Sequence, residues 1–206
     1  MDKEKRKEKW ENFWYYYKVH TIVGIFVVII IIYSIASAMA RKDSILNVTI
    51  LGGYLEEEKR VELQDQATKV FAENPEKQEV TISFNLFDNE LKDPASMAIQ
   101  QKIVAMSQVG ELDVLILDKE QFKRFSEFGL FIKLDDVKGL KNQNMKFVKS
   151  KVKDSDTQEY SYGIDIENSK ILKSLGYDTK DKILGLGVNS EKVDTSVAFA
   201  KWILGK

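Results

Sequence analysis

The chain contains no cysteine. That excludes disulfides, thiolate nucleophiles, zinc–thiolate centres and attachment through a lipidated cysteine. Histidine occurs once, at His20 beside a long apolar run, which removes histidine-based triads and most zinc hydrolase designs from everything downstream. A net excess of charge of one sign is also lacking. The chain carries −1 over 206 residues, and the part after residue 40 is near −3. That mild acidity lacks the basic footprint of a nucleic-acid or other polyanion binder. Internal repeats and low-complexity tracts are absent. The carboxylates at Asp154, Asp156 and Glu159 lack the mid-loop glycine and acidic spacing of a calcium hand, so they read as a solvated loop. Gly185-x-Gly187 has no third glycine behind it and reads as a tight turn rather than a dinucleotide loop. No metal and no cofactor is expected.

What is present begins with TIVGIFVVIIIIYSIASAMA, residues 21–40, which carry no charge and no proline. A helix of that length spans roughly 30 Å, the hydrocarbon thickness of a bilayer. Eleven of its residues are Ile, Val or Phe, each favouring insertion by about 0.3–0.6 kcal/mol. In water VVIIIIY favours a strand, because β-branched residues lose rotamer freedom in a helix. In lipid an isolated segment satisfies its backbone only as a helix. Lys3, Lys5, Arg6, Lys7, Lys9 and Lys18 precede the run, whereas Arg41 and Lys42 alone follow it closely. The positive side stays inside, so residues 1–20 are expected in the cytoplasm and residues 45–206 outside the cell. A cleaved signal peptide competes with this anchor, since Ala36-Ser37-Ala38 and Ala38-Met39-Ala40 both fit a cleavage site. The apolar run exceeds the roughly 7–15 residues of such a signal, and the expectation is an uncleaved anchor.

Ahead of the run, Trp10, Phe13, Trp14 and Tyr17 recur at helical spacing and form one face. Trp and Tyr concentrate at the membrane–water boundary, so this face is expected to contact the lipid bilayer. Stacking on nucleic acid is the disfavoured alternative for aromatics interleaved with lysine.

Residues 45–206 alternate between strand and helix patterns. Residues 45–51 are β-rich and stop at Gly52-Gly53; residues 55–73 carry Leu63, Ala67, Val70 and Phe71 on one helical face. Val80, Ile82, Phe84 and Leu86 alternate with polar residues as a half-buried strand. Asp93-Pro94 is a helix start, with the aspartate as cap. Val114 to Leu117 is apolar without alternation, as for a strand covered on both faces. Asp118 is expected to cap a short helix with Gln121 three residues on. After a polar stretch at 137–159 come a strand at 160–166, a helix near 171–175, a strand at 183–188 and a helix at 190–204. The order implies an α/β fold with a mostly parallel sheet flanked by helices.

Three stretches, LGGYLEEEKRVELQDQATKVFAENPEKQEVTISF, GELDVLILDKEQFKRFSEFGLFIKLDD and YGIDIENSKILKSLGY with LGLGVNSEKVDTSVAFAKWIL, resemble the bacterial extracellular solute-binding proteins of ABC importers, of the type II kind. The resemblance covers most of residues 47–204. It implies a periplasmic-binding-protein-like lobe, a transport role, a membrane transporter or surface protein as partner, and a sugar or peptide as ligand. The chain departs from the family in two ways. The second lobe is missing, with only about 25 polar residues in its place, and a helix replaces the lipidated cysteine.

Ligands of open α/β sheets bind at the carboxyl ends of strands. That places the candidate site at Gly52, Gly53 and Tyr54 after the first strand, Phe87, Asp88 and Asn89 after the second, and Asp118 after the third. Turn and cap duty is the competing role for all seven. The expected function is an anchored, non-enzymatic, solute-binding-like component of a membrane transport system. The alternative is a docking partner of another membrane or surface protein, with no small ligand.

Overall fold

A computed structural model describes residues 2–40, 42–87, 93–140, 145–153, 155 and 157–206. The chain divides into two units, Met1–Lys42 and Asp43–Lys206.

The first unit is a single helix, α1 (Asp2–Ala40), running unbroken from the basic leader through the apolar run. Its stretch long and apolar enough to cross a membrane is Phe13–Ile35, 23 residues with none buried. That stretch starts inside the aromatic segment, earlier than residue 21, and takes in the single charge of Lys18. A membrane anchor and an N-terminal signal sequence share this description. The expected aromatic face is formed: Trp10 meets Phe13 and Trp14 edge-on at 5.9 and 6.5 Å, and Phe13 stacks on Tyr17 at 5.4 Å. Tyr15 and Tyr16 lie outside that face and are exposed too, and from Thr21 to Ile35 the helix carries no charge on any side. A helix apolar on every side is stable only in a surround that is itself apolar.

The second unit is a six-stranded sheet covered on both faces. Its elements are β1 (Asp43–Leu51), α2 (Glu57–Phe71), β2 (Gln78–Asn85), α3 (Pro94–Gln108), β3 (Val114–Asp118), α4 (Lys119–Glu127), a 3-10 turn (Leu134–Asp136), β4 (Phe147–Ser150), β5 (Tyr160–Asp165), α5 (Lys170–Ser174), β6 (Lys182–Leu186) and α6 (Val193–Ile203). The strand order is β2-β1-β3-β6-β5-β4. β1 pairs in parallel with β2 and β3, as the alternating pattern implied. Beyond β3 the sheet changes character, and β6, β5 and β4 each join antiparallel. β4 falls inside the stretch expected to be polar loop. It is a four-residue edge strand flanked by lysines, and so short and charged an edge leaves little periodic signal.

Val114 and Ile116 of β3 point into a core with Leu63 and Ala67 of α2, Leu172 of α5, and Phe199, Ala200 and Ile203 of α6. Leu115 and Leu117 point the other way, onto Ile103 of α3 and Phe122 and Phe125 of α4. Each fully buried side chain of this kind contributes about 1.5–3 kcal/mol. Gly163 of β5 and Gly185 of β6 lie directly opposite each other. A Cβ on Gly163 would fall 2.6 Å from the Phe122 ring, and one on Gly185 would fall 2.5 Å from Phe131. The glycine pair therefore opens a slot filled by those rings, which stack at 5.4 Å. Gly185 lies within the strand expected over 183–188, and the expected tight turn follows Gly187, whose carbonyl accepts the Ser190 N–H at 3.3 Å.

An ion pair lies at each end of β3. Asp113, with no exposed surface, accepts from the backbone N–H of Asn47 at 2.8 Å, from Ser190 Oγ at 2.5 Å and from Lys192 Nζ at 3.2 Å. At the other end Asp118 sits opposite Lys182, with Nζ 2.8 Å from Oδ1.

Candidate functional site

β1, β2, β3 and β5 end on one edge of the sheet, where β4 and β6 begin. That edge gathers most of the expected site residues. Gly52 and Gly53 have φ of +69° and +76°, a region in which other residues are strained. They also permit close approach. A Cβ on Gly53 would lie 2.8 Å from the Tyr177 ring, and one on Gly52 would lie 3.2 Å from Asp118 Oδ2. Tyr177 donates its hydroxyl to the Gly52 carbonyl at 2.8 Å. Lys182, 5% exposed, reaches between Asp118 and the Leu51 carbonyl at 3.5 Å. Burial, and the charges of Asp118 and Asp178, push the Tyr177 hydroxyl well above the usual phenol range, so it stays a neutral donor.

The turn after β1 is thus closed over by Tyr177 and the Lys182–Asp118 pair. Asp118 occupies the N-cap position of α4 but its side chain caps nothing, contrary to expectation. The buried ammonium of Lys182 takes the carboxylate, because an unpaired buried cation costs more than an uncapped helix start. Asp93 does cap as expected, accepting from the N–H groups of Ala95 and Ser96 at 3.1 and 3.0 Å. Tyr54 stays exposed, with the Arg60 guanidinium 5.9 Å from its ring centre and 5.3 Å from that of Phe84. Phe87 turns away from the others, into the α3–α4 core. Asp88 and Asn89 lie outside the described residues.

The open concavity on this edge is a groove of about 350 Å³ beside the expected loops, along the ends of β4, β5 and β6. Phe147, Val148 and Ile183 form its apolar lining, and Lys119, Lys146 and Lys149 face Asp165, Glu167 and Asp181 around it. Lys146 Nζ lies 2.6 Å from Asp165 Oδ2. Burial works to raise the Asp165 carboxyl, but it is overcome by the hydrogen bonds from Lys146 and the Glu167 N–H and by the charges of Lys146 and Lys119. The result is a pKa below the ordinary aspartate value. The Lys146 ammonium is held above its usual range by Asp165 and, more weakly, by Glu167 and Asp181. Asp181 has φ +54°, and its carbonyl accepts the Lys119 N–H at 3.1 Å. A second furrow, between Trp10, Trp14 and Lys18, lies on the surface of α1 and encloses nothing.

Sequence reasoning missed Tyr177, Lys182 and this groove. The only local signal was a lysine opening the otherwise apolar strand KILGL. Among the described residues, no group of three or more His, Asp or Glu side chains is placed to hold a metal ion. The chain matches no family model, no curated protein and no solved structure.

Proposed function

We propose that this chain is a single-pass membrane protein, amino terminus in the cytoplasm, displaying a solute-binding-like α/β domain outside a bacterial cell. There it serves as a binding or accessory component of a membrane transport system, with no catalytic step of its own. What carries the reading is the pairing of an unburied 23-residue apolar helix with a separate unit that has its own two-faced core and an open groove on its strand-end edge. The lysine bias ahead of the apolar run supports the orientation.

Because the chain lacks cysteine, orientation is testable with single introduced thiols. In intact cells a membrane-impermeant maleimide should label Glu167→Cys and spare Lys3→Cys until the membrane is permeabilised. The reverse pattern would sink the topology. A second reading, docking onto another membrane or surface protein, is favoured by the closure of the Gly52–Gly53 turn by Tyr177. Crosslinking in native membranes separates the two, since a stoichiometric protein partner without a small ligand selects docking.

A further inference from the structure

The groove along β4, β5 and β6 has a composition that selects among ligands. Two of its cation–carboxylate pairs are already made: Lys146 with Asp165, and Lys182 with Asp118 behind it. Among the described residues, Lys119, Lys149, Glu167 and Asp181 take part in no ion pair. Two free cations and two free carboxylates therefore rim a space lined by Phe147, Val148 and Ile183. The rim charges are electrically coupled: Lys146 feels Glu167 and Asp181, and Asp165 feels Lys119.

We infer that this groove takes a zwitterion of amino-acid to short-peptide size, its carboxylate met by Lys119 and Lys149, its ammonium by Glu167 and Asp181, and its apolar part by the exposed portions of Phe147 and Val148. A phosphate or other simple anion would leave the two carboxylates facing it, and like charge repels. A neutral sugar would use neither free pair. The volume, about 350 Å³, lies at the small end of ligand sites, which run from about 300 to 1,000 Å³. The position fits as well, on the strand-end edge where open α/β sheets bind ligands. This inference rests on the binding-component reading and names the ligand class of that site.

The test is calorimetry on the full chain in detergent, with trialanine, N-acetyl-trialanine amide and maltotriose as probes. Trialanine should bind, and the doubly blocked peptide should bind about tenfold more weakly or worse, having lost both charge-assisted contacts. Lys119→Gln and Asp181→Asn should each weaken trialanine several-fold while leaving the thermal melt in place. Asparagine is the right replacement at 181 because it tolerates the positive φ. Equal affinity for blocked and free peptide overturns the inference. So does maltotriose binding where trialanine does not, and that outcome leaves the binding-component reading standing. Silence from all three probes, together with a stoichiometric crosslinked protein, overturns both in favour of docking.

Discussion

The two halves of the sheet meet at β3–β6 and use the same edge differently. In the parallel half, β2-β1-β3, the strand ends are sealed, with Tyr177 packed on Gly53 and Lys182 drawing Asp118 across the Gly52 turn. In the antiparallel half, β6-β5-β4, the same edge is open, and charged side chains rim an accessible groove. The parallel strands bring their glycine turn and loops together, where packing can close them. The antiparallel strands alternate carboxyl and amino ends, which spaces Lys146, Asp165 and Lys182 around a gap. A strand-end edge is therefore a site only where neighbouring side chains leave it unfilled.

That contrast can be broken at the seam. Asp113→Ala should have the largest effect, because it removes a fully buried carboxylate that accepts from three donors, the Asn47 N–H, Ser190 Oγ and Lys192 Nζ. We expect a loss of about 3–5 kcal/mol, read as a fall in the urea midpoint of the full chain in detergent. Next is Gly185→Ala, which drives a methyl into the Phe131 ring and should cost about 2–3 kcal/mol. Equal stability for Gly185→Ala would show that the aromatic slot is not close-packed. Lys182→Met comes third, at about 2 kcal/mol, since Asp118 is partly exposed and recovers some hydration. Adding Asp118→Leu should restore part of that loss, and no recovery would argue against the ion pair as its source.

The smallest effect belongs to the open half. The folded pKa of Asp165 is depressed, so its contribution is present above the unfolded value, near 4, and fades as pH falls through the folded value. Asp165→Asn should therefore lower the neutral plateau slightly and flatten the acid limb of a stability–pH profile by the same small amount, leaving the acid end unchanged. An unchanged acid limb would mean that Lys146 and Asp165 do not pair in solution.

Much of the second unit was legible in advance. The strand and helix order, the cap at Asp93 and the strand-end position of Gly52 and Gly53 follow from periodicity and from residues a few positions apart. Asp118 was placed on the right edge with the wrong job, since its partner Lys182 is distant in sequence. Tyr177 was missed for the same reason, its contact to Gly52 spanning 125 residues. The packing role of Gly185 was not legible, because a glycine that makes room for a ring looks the same in sequence as one that makes a turn.

By itself the sequence determined a helix apt for a membrane and a chain of alternating strands and helices. Both are sums over neighbouring residues: twenty uncharged positions in one case, and periods of two and 3.6 in the other. The tertiary structure alone decided the direction of β6, β5 and β4, the closed turn and the open groove. Alternation records which face of a strand is buried but carries no sign for its direction. That sign comes from long-range pairing, here of β3 with β6, β6 with β5 and β5 with β4.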